Sequence, residues 1–269
     1  MTPDQDKPNP HPGPNPHPDP APLAQPCPDA LSQPRPSPSP PLPDPTAIRR
    51  ATHTTHTTHT HIAGIPLPDS DLAKEATELI RNTTDELIYH HSRRVYLFGA
   101  RHGRERNLPF DAEVLYIAAL FHALGLTDRF RGSRQRFELD GADEAHRFLT
   151  AHGVPPARAR LTWEAIALHT TPEIPHHMAP EIALLAAGYE LDVLGIGYDT
   201  LPPDTREEIL MAHPRPGFKR HILRAYHRAL AHRPETAFGT PEADILPRPG
   251  PEHIRPDFVR ILDDSPWPE

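Results

Sequence analysis

Ala118-Ala119-Leu120-Phe121-His122-Ala123-Leu124-Gly125-Leu126-Thr127 is an apolar run with a single imidazole inside it. Leu115, Ala118, Ala119 and His122 recur at helical spacing, so His122 lies on the buried stripe of a helix. A strand would alternate apolar and polar residues, and this run does not.

The same pattern recurs on three more predicted helices. Leu87, Ile88, His91, Val95 and Phe98 share one face. Thr162, Ala165, Ile166 and His169 share another, and Ile182, Leu185, Tyr189 and Asp192 a third. Each helix therefore turns one metal-competent group inward. Taken singly, each has an ordinary explanation. A lone histidine on an apolar face is usually a satisfied core residue, and an aspartate near a helix end can bond backbone or an arginine. Burying Asp192 without a cation or several donors is costly, however. A shared metal would satisfy all four groups at once. Imidazole with carboxylate suits zinc, iron, manganese or nickel and does not select among them.

Outward from this centre the chain reads as helical. Asp69 or Ser70 caps a helix through Leu72, Ala76 and Leu79, and Asn82-Thr83-Thr84 ends it. A second helix spans about 85–100, and Gly103 to Pro109 reads as a loop. A third runs from Asp111 to near Gly125. After an arginine-rich loop, a fourth begins near Asp140 or Asp143 and reaches His152. Pro155-Pro156 opens a fifth that ends near His169. Further helices are expected over 181–194, 204–212 and 218–231. The fold class is all-α, a bundle of six to seven core helices. Its predicted bounds are 69–233, between an arm over 1–68 and a proline-rich extension over 234–269.

Composition sets the flanks apart. Of 38 prolines, 18 precede Thr46, and the arm has almost no large apolar residues. Such a segment cannot bury enough surface to offset the entropy of ordering, so disorder with polyproline-II character is expected. A proline-binding domain is the partner such an arm would suit. The Thr52–His61 repeat, with His53, His56 and His59, reads as a low-complexity linker with weak metal affinity as its alternative. The net charge of −8 argues against nucleic-acid and anionic-membrane partners. No apolar run approaches a membrane span, and the N-terminus lacks an apolar signal core. The single cysteine, Cys27, excludes an internal disulfide and is compatible with a reducing compartment. A cytoplasmic location is expected.

The quoted residues also carry a resemblance. His91-Ser92-Arg93-Arg94-Val95-Tyr96-Leu97-Phe98-Gly99 resembles the first histidine motif of HD-domain proteins. Phe121-His122-Ala123-Leu124-Gly125 resembles the motif that names that superfamily, usually His-Asp followed by Leu or Ile and Gly. Ala167-Leu168-His169-Thr170 and Glu190-Leu191-Asp192-Val193-Leu194-Gly195 resemble the later histidine and the closing aspartate. Phe137 to Asp143 and Gly217-Phe218-Lys219-Arg220 are similar to the cyanamide hydratase-like branch. The resemblance implies one divalent metal, zinc foremost, held by His91, His122 and Asp192. His169 and Lys219 are then the residues that line the site and meet a small-molecule substrate. It implies water addition to a nitrile, giving urea from cyanamide, or the nucleotide phosphoester hydrolysis of most members. Arg129, Arg131, Arg134 and Arg136 would favour the latter.

Ala123 departs from the pattern. The superfamily has a metal-ligating aspartate there, and a methyl group offers neither lone pair nor charge. Its loss is expected to weaken metal binding at least as much as the ~10–100-fold of changes behind the ligands. Three outcomes follow: a shell rebuilt with His169, a degenerate member that keeps the fold without the reaction, or a sequence error at one codon.

Overall fold

Ser70 caps helix α1, Asp71–Thr83, by accepting from the Ala73 amide, and Asp85 caps α2, Glu86–Glu105, by accepting from Ile88. The computed structural model describes residues 60–237 and 239–245. Cys27, the proline-rich arm, the histidines of the Thr/His repeat up to His59 and the tail beyond 245 lie outside the described residues. Asp111 caps α3, Ala112–Phe121, and two 3-10 turns follow, Leu124–Leu126 and Asp128–Phe130. Then come α4, Phe137–Ala151, and α5, Pro156–Leu168, with proline in the first turn of α5. Helix α6, Pro180–Tyr189, runs on into a π-helical turn, Glu190–Leu194, which Gly195 ends in the left-handed region. Helices α7, Pro203–Ala212, and α8, Phe218–Leu230, complete eight α-helices among the described residues. The all-α class therefore holds. No helix among them is long and apolar enough to cross a membrane.

The boundaries differ from expectation in three places. Helix α2 runs through Gly103 to Glu105, where the sequence suggested a loop, because Ala100 and Gly103 are buried against the bundle. Packing outweighs the local signal of one glycine. Helix α4 starts at Phe137 rather than near Asp140 or Asp143, and no side chain caps it. Asp140 instead accepts from Ser133 and pairs with the buried Arg233. The third difference is a two-stranded antiparallel ribbon inside the stretch assigned to the arm. His61–Ile62 pairs with Ile65–Pro66 through an Ala63-Gly64 turn with both φ values positive. Ile62 and Ile65 enter the main core, and Tyr96 donates its hydroxyl to the Pro66 carbonyl. The helical domain therefore begins by His61.

Helix α2 lies along α6, and α4 along α5, with α3 between them. The α2–α6 approach depends on two glycines. A Cβ at Gly99 would stand 2.4 Å from the Leu184 carbonyl oxygen, and one at Gly188 2.2 Å from that of Val95. This close crossing sets His91 on α2 beside Asp192, just past the end of α6.

Candidate metal centre

His91, His122, His169 and Asp192 do come together, as the four stripes required. All are at most 3% exposed. His122 and His169 occupy the C-terminal ends of α3 and α5, and Asp192 sits in the π-turn after α6. The imidazoles of His91 and His122 lie 4.8 Å apart between centroids, and those of His122 and His169 4.9 Å.

Their hydrogen bonds fix the tautomers. His122 Nδ1 donates to the Ala119 carbonyl and His169 Nδ1 to the Ile166 carbonyl, each at 2.7 Å. A carbonyl can only accept, so both Nδ1 atoms carry the proton. His91 Nδ1 donates to Asp192 Oδ2 at 2.7 Å. The three Nε2 atoms are left to face inward. Those of His91 and His122 stand 3.1 Å apart, and that of His169 is buried without a hydrogen-bond partner. Burial holds all three rings toward the neutral form. It lowers His91 despite the Asp192 contact, and takes His169 down to about 4. For His122 burial acts together with repulsion from His91 and His169.

Asp192 is already neutralised. Arg94 Nε donates to Oδ1 at 2.8 Å and Arg94 Nη2 to Oδ2 at 2.9 Å, a bidentate pair with both side chains buried. Burial raises the Asp192 pKa, but the bonds from His91 and Arg94 outweigh it and hold the carboxyl at about 2. Arg215 Nη2 adds a bond to the Asp192 backbone carbonyl, and Phe218 lies beneath both guanidinium groups.

Ala123 is 1% exposed and packs in an apolar cluster with Ile88, Leu126, Phe137 and Phe218. Nearby, Arg233 donates to the Gly125 carbonyl and so ties the end of α8 to the turn after Ala123.

Two expectations fail on position. Lys219 is exposed on the first turn of α8, and its neighbour Phe218 is the residue that meets His91. Of the four loop arginines, Arg129 and Arg136 are paired with Glu144 and Glu138, and Arg131 and Arg134 are exposed. They do not form a free cationic cluster at the histidines. Sequence reasoning also missed residues that matter here. Arg94 was available from spacing, since it follows His91 by three on the same helix and a buried aspartate needs a cation. Glu138, buried and bonded to Thr170 and Arg136, gave no such signal.

The donor set does not fit a divalent metal of the His…His-Asp…Asp kind. Position 123 supplies no donor, and both Asp192 oxygens are engaged by Arg94 and His91.

Residues 88–219 match the HD domain family, a stretch that holds the whole cluster described above. No curated protein matches the chain. The match covers just under half of the chain and makes this segment similar to the HD domain family, whose members are helical and generally bind divalent metals.

Proposed function

We propose that the HD domain of this chain is a degenerate member of its family: it keeps the helical scaffold and the buried histidines, and it does not activate water on a metal. One observation carries the reading. The position of the missing aspartate is a buried alanine inside an apolar cluster, and the buried aspartate beside His91 is already paired with an arginine. A cation entering this site would meet neutral imidazoles and one carboxylate whose charge is spent. The function that remains is binding, performed by the surface of the bundle.

A second reading is favoured by His169, whose buried Nε2 has no partner. Under it, the chain uses His91, His122 and His169 toward a divalent metal and retains a hydratase reaction on a small nitrile such as cyanamide. The test is one assay panel on wild type and Ala123→Asp. Urea release from cyanamide and phosphate release from nucleoside monophosphates are measured with added zinc, manganese, iron or nickel. The degenerate reading expects no turnover from wild type. Turnover by wild type that equals or exceeds the variant's refutes it and establishes the second reading.

A further inference from the structure

Helix α8 carries the most lopsided charge pattern of the domain. Phe218, Ile222, Ala225, Tyr226, Ala229 and Leu230 face inward and are buried. The opposite face exposes Arg220, Arg224 and Arg228, with His221 and His227 beside them. The three arginines recur every fourth residue, so they stand in one row about 6 Å apart along the helix. Like charges at this spacing destabilise a helix. Nothing offsets them, for none of the three is in an ion pair among the described residues. That is unusual in a chain of net charge −8.

The row edges an open groove of about 1070 Å³. Between the cations its lining is apolar: Leu87 from α2, Leu223 from α8, and Ile245. Leu223 is 51% exposed, a large aliphatic side chain set in a basic surface. The carboxylate of Asp85, in the groove's lining, accepts from the Ile88 amide as the cap of α2, and among the described residues it forms no ion pair with the arginines.

The groove differs from the buried histidine centre in place and in chemistry. We propose that it is a docking site for an acidic, amphipathic peptide segment of a partner protein. Carboxylates repeating every fourth residue would meet Arg220, Arg224 and Arg228, and the aliphatic side chains between them would cover Leu223 and Leu87. The aliphatic side chains favour this occupant over a nucleic acid: Leu87, Leu223 and Ile245 line the groove with the arginines, and among the described residues no phenylalanine, tyrosine or tryptophan lines it to stack a base. A lipid headgroup layer is disfavoured because Leu87, Leu223 and Ile245 line a groove rather than a convex edge.

The probe is a fluorescein-labelled synthetic helix with glutamate at every fourth position and leucine between, read by anisotropy against the full chain. Wild type is expected to bind it saturably and less tightly as salt rises. The triple variant Arg220→Glu, Arg224→Glu, Arg228→Glu is expected to lose about tenfold or more in affinity. A matched peptide with lysine for glutamate is expected to recover binding to that variant alone. Circular dichroism and thermal melting of the variant guard against misfolding, and Leu223→Ser offers a milder second perturbation expected to weaken binding without altering charge. The proposal is overturned if the peptide does not bind wild type. It is also overturned if the charge-reversed and wild-type chains bind it equally. Tighter, arginine-dependent binding of a single-stranded oligonucleotide, or of vesicles rich in phosphatidylserine, would overturn it in favour of those partners. None of these results depends on whether the histidine centre is catalytic.

Discussion

Replacing Arg94 by methionine removes the only cation among the described residues that meets the Asp192 carboxylate bidentately. Two buried charge-assisted bonds, at 2.8 and 2.9 Å, are lost. So are the Nη1 bonds to the carbonyls of His213 and Pro214, at 3.2 and 2.9 Å, and the stacking on Phe218. Asp192 would retain His91 Nδ1 and a distant Arg215, 3.6 Å away. Breaking a buried ion pair from one side costs roughly 3–5 kcal/mol, because the remaining charge is left in a low-dielectric interior. Arg94→Met is therefore expected to lose about that much in urea unfolding at pH 7, followed by far-UV circular dichroism. The loss has a signature beyond its size. Without Arg94 the Asp192 carboxyl would titrate higher, so the penalty should shrink as pH falls and Asp192 takes up a proton. Adding Asp192→Asn to Arg94→Met should restore a large part of the lost stability, since the stranded charge is gone. A cost below about 1 kcal/mol, with no pH dependence, would refute the reasoning. It would mean that some other cation holds Asp192 in solution.

Other expectations follow from the same geometry. Wild type should lose stability as pH falls from about 6.5 toward 4. The unfolded chain protonates His169 near its ordinary value, whereas the folded one resists until about 4, a difference of about 3 kcal/mol that denaturant melts at stepped pH would reveal. A flat profile over that window would count against a neutral histidine core. Ala123→Asp places a carboxylate in an apolar cluster and should lower the melting temperature in the presence of a chelator; added manganese or zinc should raise it again only in that variant. Gly188→Ala drives a methyl group against the Val95 carbonyl and is expected to cost at least about 1–3 kcal/mol, measured by urea denaturation. Ile65→Ala should cost about 2–5 kcal/mol in urea denaturation, because its side chain is buried in the domain core, and a cost near zero would contradict that placement.

Much of the bundle was legible because its cues are local. Ser70, Asp85 and Asp111 cap the helices they precede, and the 3.6-residue stripes of Leu115–His122 and Ile182–Tyr189 point inward as their spacing requires. The extension of α2 past Gly103 and the uncapped start of α4 were not legible, because contacts from other elements decide them. The ribbon escaped notice because two residues per strand are too few to show alternation. Within the site, the four inward groups could be read from periodicity alone. What each does could not. That Asp192 serves Arg94 and His91 rather than an ion depends on side-chain direction in a π-turn, which spacing does not encode. Lys219 shows the converse: its motif context suggested the site, and its position on the outer face of α8 takes it away.

The central claim is that Ala123, together with the commitment of Asp192 to Arg94, leaves this HD-like domain without a bound divalent metal. Elemental analysis of the full chain, purified without affinity metal and after exposure to excess manganese, iron, nickel or zinc, tests it most directly. The account predicts far less than one equivalent of any divalent ion retained by wild type after desalting. About one equivalent, lost on replacing His91 or His122 by alanine, would contradict it.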